Sequence, residues 1–277
     1  MSCRHLLPVV AGFVCLAATN LIVQAIPPAQ GDEPSLSDEQ KETFLLKAKV
    51  VKSKQTRKGI TSPWQLTLSD GSLTHDAAFQ SVEERKPIMK FQDGRTEIGF
   101  RDSYHYDIAA RELAKLLGLA DMIPVTVERR WNGNKGALSW WVPWKWDEEM
   151  RIKQKLEPPD IDAWNHQMYK VRIFVALVAD TDRNLGNILI TEDWKIWMID
   201  FTRAFRLHHD LQNPKDLTNC DRNLLEALRR LDGKELSART KDHLTTGEVQ
   251  AVMARRDKIV EYFEKLIAEK GEKAVFY

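Results

Sequence analysis

The chain has 277 residues, in which 41 Lys and Arg oppose 40 Asp and Glu, so the formal net charge is +1. Its 43% apolar and 29% charged residues are typical of a globular protein and exclude collagen-like, low-complexity and wholly disordered chains. A dedicated nucleic-acid binder would carry a basic excess, and this chain has none. The length allows one two-lobed domain or two small ones, with a core that does not depend on cross-links.

The first 25 residues have the pattern of an export signal. A short basic start precedes an apolar run from Leu6 to about Ala18, and Val23 and Ala25 favour cleavage after Ala25. The run is too short and too interrupted to indicate a membrane span, although an uncleaved anchor, or a lipid anchor on Cys15, stays open. We therefore expect a protein exported to a periplasm, a secretory lumen or the extracellular space, without stable membrane insertion after cleavage.

Cleavage would leave Cys220 as the single cysteine. A lone cysteine can form neither an intramolecular disulfide nor a cysteine-rich zinc site. Its neighbours Asn219 and Asp221 would not stabilise a thiolate, so we interpret it as a buried or capping thiol.

Residues 26–43 are polar and contain three prolines, which predicts a linker ahead of the fold. A β-rich part follows, in which a basic connection over residues 52–62 joins the first two strands. The predicted elements are strands at 44–51, 64–68 and 75–80, a helix over about 104–117, and a hairpin of 123–130 with 137–142.

The chain becomes helical after Pro143. Apolar residues from Ile161 to Val178 recur at helical spacing, which predicts one long helix with a buried face. Further along, the patterns predict a hairpin of 188–190 with 196–199, a helix at 224–231, and a long helix that begins at the capping box of Thr245 and Glu248 and stops at Gly271. The order predicts an α+β fold with a small β-rich lobe (44–145) and a larger α-rich lobe (146–277).

The polar segment between Asp180 and Asp200 is the most informative about chemistry. Asp182 and Asn187 directly follow the long helix, and a hairpin would return Asp200 to the same place. Two carboxylates and an amide oxygen would then meet, and hard oxygen ligands of this kind suit Mg²⁺ or Mn²⁺. A carboxylate beside such an ion can orient an attacking hydroxyl, as phosphoryl transfer requires. Taken singly, each residue could instead be turn or cap chemistry.

Asp182 and Asn187, the hairpin and Ile199-Asp200-Phe201 resemble the catalytic loop and metal-binding motif of the protein-kinase-like superfamily. Residues 181–184 and 187 are similar to the phosphatidylinositol 3-/4-kinase and HipA kinase pattern. Residues 108–118, 123–125 and 200–205 resemble the secretory-pathway, Golgi casein kinase-like kinases. The likeness extends from about residue 44 to 267.

This resemblance implies a two-lobed kinase-like fold that binds ATP and Mg²⁺ or Mn²⁺. By position, Asp182 would be the catalytic base for the acceptor hydroxyl, and Asn187 and Asp200 would hold the metal. Asp107 would replace the Glu that pairs with a phosphate-binding Lys. The basic connection between the first two strands would cover the phosphates, with Lys58 among its cations.

Two features depart from the family pattern. The third strand ends in Gln80 where the family has Lys, and Gln brings no charge to the phosphates. The charge could come from another lysine, among Lys49, Lys52, Lys86 and Lys90. The loop that would cover the phosphates has a single glycine, Gly59, and its basic residues could equally belong to a solvated hairpin.

Two further groups of residues have alternative interpretations. Trp131, Trp140, Trp141, Trp144 and Trp146 cluster between the lobes, where we expect most of them in the core and allow stacking on a base. His208, His209 and Asp210 are adjacent, and we predict surface roles for them.

The leading hypothesis is phosphoryl transfer from ATP to a hydroxyl of a protein or a glycan, by an exported monomer. The alternative is a catalytically weak or inactive pseudokinase that acts as a binding module, and nucleotidyl transfer on the same fold is a third. Gln80 favours the binding module, whereas the set of Asp182, Asn187 and Asp200 favours the enzyme.

Overall fold

The computed structural model describes residues 36–56, 63–91, 94 and 96–277, and residues 37–277 form one compact unit. Its helices are α1 (Asp38–Lys47), α2 (His105–Leu116), α3 (Glu148–Lys153), α4 (Ile161–Val178), α5 (Arg222–Arg230), α6 (Gly233–Arg239), α7 (Thr246–Lys270) and α8 (Glu272–Val275). Its strands are β1 (Lys49–Gln55), β2 (Trp64–Ser69), β3 (Thr74–Gln80), β4 (Glu83–Lys90), β5 (Thr96–Ser103), β6 (Thr126–Trp131), β7 (Asn134–Trp140), β8 (Trp144–Asp147), β9 (Ile188–Thr191) and β10 (Ile196–Met198). None of these described helices is both long and apolar enough to cross a membrane.

A five-stranded antiparallel sheet in the order β1-β2-β3-β7-β6 forms the first lobe. In β2 the side chains of Leu66 and Leu68 are fully buried, as the period-two alternation predicts. In β3, Ala77 and Phe79 lie on the same buried face, so Gln80 at the end of the strand points the other way. The sheet therefore places Gln80 away from its own core.

The helix α1 corrects the prediction of a strand at 44–51. Ser37 caps the helix in a capping box with Gln40, and Phe44 and Leu45 are buried on it. The guanidinium of Arg129 donates to the carbonyls of Leu45 at 2.6 Å and Ala48 at 2.7 Å, satisfying acceptors at the end of the helix. The strand begins only at Lys49, and α1 takes in the last residues of the segment that was predicted as a linker.

The hairpin of β4 and β5 was not predicted. Half of the residues in its two strands are charged, nearly all are at least partly exposed, and Ile98 is 83% exposed, so hydrophobic alternation is weak. The hairpin is nevertheless joined to the second lobe, because Glu97 forms ion pairs with Arg203 and with Arg206 at 2.9 Å. The backbone N–H of Ser103 also donates to the carbonyl of Thr202 at 2.9 Å.

The second lobe is built around α4, α7 and a three-stranded sheet in the order β10-β9-β8. Trp164, Val171, Phe174, Leu177 and Val178 bury one face of α4, which confirms the long amphipathic helix. The predicted capping box of Thr245 and Glu248 is also present at the start of α7. The architecture is α+β, as the sequence predicted.

Candidate active site

A cleft of about 410 Å³ lies between the five-stranded sheet and the β9–β10 hairpin. Four of the candidate site residues predicted from the sequence line it. Gln80 comes from the end of β3, Asp107 from the first turn of α2, Asn187 from the loop before β9, and Asp200 from the residues after β10. Residues that are up to 120 positions apart in sequence therefore face one space.

Much of the cleft wall is apolar. Ala78, Ile123, Val142, Leu189 and Met198 line it together with Trp64, Trp140, Trp141 and Trp144. An apolar space of this kind suits a planar ring system, and the few polar groups of the lining could fix its orientation. Of the five tryptophans clustered in the sequence, Trp131 instead packs edge-on against Trp64 at 5.2 Å, and Trp146 packs on Trp194 at 5.3 Å.

The loop after α4 is held by hydrogen bonds between its own backbone and its own polar side chains. Ala179 ends the helix in the left-handed conformation, with φ of 49°. The backbone N–H of Asp182 then donates to Asp180 Oδ1 at 3.0 Å, and Asn184 caps a single 3₁₀ turn over residues 185–187. Asn187 Nδ2 donates to the Asp182 carbonyl at 3.4 Å, so its Oδ1 is the atom that it can offer to a ligand.

Arg183 connects this loop to the residues after β10. Its guanidinium pairs with Asp180 Oδ2 at 2.6 Å and donates to the Asn187 carbonyl at 3.0 Å. It also donates to the carbonyls of Ile199 and Asp200. Arg183 belongs to the segment 181–184 that resembles the family motif, but the resemblance assigns it no role. Its role depends on tertiary contacts that spacing alone does not reveal.

Asp200 sits in the left-handed region, with φ of 58°. A non-glycine residue is held there only where its surroundings dictate it, and such residues cluster at functional sites. Thr202 Oγ1 donates to Asp200 Oδ1 at 2.9 Å. The next residue, Phe201, is buried against Phe174 at 5.5 Å between ring centroids and lies under the Arg183 guanidinium. Packing of Phe201 therefore fixes the backbone that carries Asp200.

Asp107 is also tied to this backbone, since its Oδ1 accepts a hydrogen bond from the Phe201 N–H at 2.7 Å. The loss of surrounding water, together with the nearby Asp200 carboxylate, raises the pKa of Asp107 to about 8. The resemblance implied that this residue pairs with a lysine. In the structure, its hydrogen bond is made to the backbone of Phe201 instead.

Desolvation raises the pKa of several carboxyl groups in and beside the cleft. Asp200 is open to the cleft but enclosed by protein on its other sides, and this desolvation raises its pKa. Desolvation also raises the pKa of Asp102, and that of Asp182, which lies exposed beyond the cleft lining. Among the described residues that line the cleft, there is no Lys or Arg. A bound cation would relieve this excess of negative charge.

The other predicted cofactor residues are placed less fully. Gly59 and Lys58 lie outside the described residues, while Thr56 and Pro63, on either side of that segment, line the cleft. Of the four lysines considered as substitutes for a lysine at position 80, Lys86 pairs with Glu84 at 2.6 Å.

Cys220 lies away from the cleft lining and is completely buried, as predicted. Burial raises the pKa of its thiol to about 12, which makes it a poor nucleophile. Of the triplet 208–210, His209 and Asp210 are exposed, and Asp210 pairs with Lys258.

No family model matches the chain, and no curated protein matches it by sequence. Solved structures do match. The hydra Fam20 structure with sugar has a TM-score of 0.63 at 15% identity, over 86% of this chain and 91% of that chain. The Golgi casein kinase with Mn/ADP bound has a TM-score of 0.61 at 12% identity, over 86% and 78% of the two chains.

The third structure is the Helicobacter pylori proinflammatory kinase CtkA, with a TM-score of 0.54 at 11% identity, over 82% of this chain and 98% of that chain. These matches extend over most of each chain, so they concern the whole two-lobed architecture and not one lobe. The chain therefore has the fold of the atypical protein-kinase-like superfamily, as its motifs predicted.

Proposed function

We propose that this protein is an exported phosphotransferase that binds ATP with Mg²⁺ or Mn²⁺ and phosphorylates a hydroxyl group of a protein or a glycan, as a monomer. The observation that carries this proposal is the convergence of Asn187, Asp200, Asp107 and Gln80 on one cleft with a largely apolar wall. The export part rests on the pattern of residues 1–25 alone.

The oxygen donors fit a divalent ion. Asp200 and Asn187 would hold it, because both line the cleft and both offer oxygen, the element that Mg²⁺ and Mn²⁺ prefer. The raised pKa values of the neighbouring carboxyls are what a site built for a cation would have without one. When bound, the ion would neutralise charge on the phosphate oxygens.

The chain's own residues would supply position and proton transfer. The adenine would bind between the aliphatic and tryptophan side chains that line the cleft. Asp182, exposed beyond the cleft, would accept the proton of the acceptor hydroxyl as its oxygen bonds to the γ-phosphorus and the bond to the β–γ bridging oxygen breaks. ADP would be the leaving group.

Gln80 is the reason to expect a slow rate of phosphoryl transfer. An amide can donate a hydrogen bond to a phosphate oxygen but adds no positive charge, and no described cleft-lining residue is cationic. We therefore expect metal-dependent nucleotide binding with slow transfer. The same observation favours the second candidate, a pseudokinase that binds a partner without transferring phosphate.

The deciding experiment measures the melting temperature with ATP and Mg²⁺ or Mn²⁺, alongside transfer of labelled γ-phosphate to protein and glycan acceptors. Asp182→Ala should abolish transfer and keep nucleotide binding, whereas Asp200→Ala should abolish both. Asp216→Ala removes an exposed aspartate elsewhere and serves as the matched control. Gln80→Lys should bind nucleotide equally or more tightly.

Two results would contradict the enzyme. If nucleotide and metal do not stabilise the wild type, and Asp200→Ala melts like Asp216→Ala in their presence, the cleft does not bind a metal–nucleotide complex. If nucleotide binds but no acceptor is phosphorylated, even by Gln80→Lys, the pseudokinase takes the place of the enzyme.

A further inference from the structure

A second set of potential ligands lies away from the cleft lining, where α2, β6 and the turn before α7 meet. His105 is the first residue of α2, Glu128 lies in the middle of β6, and His243 lies in the turn between α6 and α7. The three side chains are all partly buried. Neither the motifs nor the proposed phosphoryl transfer uses them.

The three side chains converge closely. One ligand atom from each lies within 4.8 Å of the others, and the two imidazole Nδ1 atoms are 2.9 Å apart. Zinc bonds of about 2.0–2.1 Å in tetrahedral geometry separate neighbouring ligand atoms by about 3.3 Å. The two Nδ1 atoms are already near this separation, so reorientation of the imidazoles and a closer approach of the Glu128 carboxylate would convert the observed cluster into a ligand set.

The surroundings support the three side chains as a ligand set. The Tyr104 hydroxyl donates to Glu128 Oε2 at 3.1 Å, and the Tyr104 ring stacks on His105 at 4.1 Å, so one residue orients two of the three. Such outer contacts are typical of metal sites. Lys135 Nζ pairs with the other oxygen, Oε1, at 2.9 Å from a largely exposed position. A metal can compete with this pair because exposed ion pairs contribute little.

Burial also favours the form of histidine that binds metal. Desolvation lowers the pKa of both imidazoles, so each is neutral at pH 7 and has a nitrogen lone pair to donate. A hydrogen bond between the two neutral rings is the alternative explanation for the 2.9 Å contact. In that case Glu128 would only bond to Tyr104 and Lys135, and metal titration distinguishes the two explanations.

We propose that His105, Glu128 and His243 form a zinc site separate from the candidate active site. Two imidazole nitrogens and one carboxylate oxygen are ligands that Zn²⁺ accepts, and a water molecule would complete the tetrahedron. Hard ions such as Mg²⁺ and Mn²⁺, which suit the oxygen donors of the cleft, are poorly matched to two nitrogen ligands.

The zinc would tie together elements from both halves of the chain. His105 and His243 are 138 residues apart, and His105 begins the helix that carries Asp107 to the cleft. Zinc binding would fix the start of α2 against β6 and the α6–α7 turn. The site should therefore stabilise the folded chain whether or not the protein transfers phosphate.

The test is a titration of the metal-stripped full-length protein with ZnCl₂, followed by calorimetry and by melting temperature. We expect one zinc per chain and a higher melting temperature. Co²⁺ in place of Zn²⁺ should give the intense visible absorption of a tetrahedral ion with nitrogen ligands. His243→Gln and Glu128→Gln should each weaken zinc affinity more than ~10-fold. Loss of a residue that only supports a metal ligand already weakens affinity by about 10-fold or more, and loss of a ligand itself should cost at least as much.

Matched controls separate this site from others. His209→Gln removes an exposed histidine and should leave zinc binding unchanged. Asp200→Asn should also keep it, because the proposed nucleotide metal is held elsewhere. The proposal is overturned if the wild type takes up no zinc at unit stoichiometry, or if His209→Gln weakens binding as much as His243→Gln. It is also overturned if Glu128→Gln binds as tightly as wild type, since the two histidines alone would then hold the ion.

Discussion

The guanidinium of Arg183 holds the loop of residues 182–187 against the residues after β10. Its side chain is only 7% exposed, and the side chain of its partner, Asp180, is 0% exposed. Arg183→Met keeps a similar length but removes the charge. Because it leaves the Asp180 carboxylate buried and unpaired, we expect destabilisation by about 3–5 kcal/mol.

The carbonyls of Asn187, Ile199 and Asp200 would lose their donor in the same variant. Those losses belong to one network and are not added separately. For a chain of this size about 1 kcal/mol corresponds to a shift of roughly 2–4 °C, so the melting temperature should fall by roughly 6–20 °C. Arg183→Lys keeps the charge but not the planar fork of donors, and should fall between Arg183→Met and wild type.

Thermal unfolding followed by circular dichroism measures this effect, with Arg239→Met as the control. The Arg239 side chain is 43% exposed and pairs with Glu235 on the surface of α6, so its loss should cost at most ~1 kcal/mol. Adding Asp180→Asn to Arg183→Met should recover part of the loss by removing the unpaired charge. The reasoning is refuted if Arg183→Met melts within about 2 °C of Arg239→Met, the shift expected for less than ~1 kcal/mol.

Asp107→Asn keeps an acceptor for the Phe201 N–H and removes a carboxyl whose pKa is raised to about 8, a shift that makes wild-type stability fall as pH rises from about 4 to 8. In metal-free buffer the melting temperature of the variant should therefore exceed that of wild type, by more at pH 8 than at pH 5. An equal difference at both pH values would contradict this. Gly136→Ala would bring a Cβ into overlap with the Gln80 carbonyl oxygen, because β7 and β3 lie close together there. Denaturant titration should therefore show that the free energy of unfolding falls by about 1–3 kcal/mol. An unchanged midpoint would show that β3 and β7 are not so close at this position. In a variant with Cys3 and Cys15 replaced by Ser, Cys220 of the folded protein should react with iodoacetamide at pH 8 at least ~10³-fold more slowly than Cys220 of the protein in denaturant, because folding raises its pKa to about 12. Comparable rates would mean that the thiol is accessible.

The parts of the fold that could be predicted from sequence are those whose burial follows a regular period. The helix α4 was predicted within a few residues because its apolar positions follow the 3.6-residue repeat. The β4–β5 hairpin was missed because it buries little and is held by ion pairs, such as that of Glu97 with Arg206, which leave no periodic signal. In α1, the capping box of Ser37 and Gln40 was the available signal, and the apolar run after it was interpreted as a strand instead.

The candidate site likewise has residues that could be predicted from the sequence and contacts that could not. Asp182 and Asn187 could be selected from sequence because one short loop carries both, and Asp200 because a tight hairpin returns it to that loop. The hydrogen bond from the Phe201 N–H to Asp107 joins residues 94 positions apart. No local pattern encodes such a contact, since it depends on how α2 packs. The convergence of His105 with His243 was beyond sequence reasoning for the same reason.

The contacts of α2 also bear on how a site with Gln80 could work. In the family pattern that the resemblance implies, an ion pair between a lysine and the helix would hold the helix in place. Here Glu248 takes over part of that task, since it accepts a hydrogen bond from Tyr106 of α2 and pairs with Arg101, just before the helix, at 2.7 Å. Asp107 adds the bond to the Phe201 backbone. Because these contacts need no nucleotide, α2 should hold the same position in the empty and the loaded protein. Under the proposed function, the loss of the lysine would therefore weaken phosphate binding without disordering the helix, which is why we expect slow transfer and not an unfolded site.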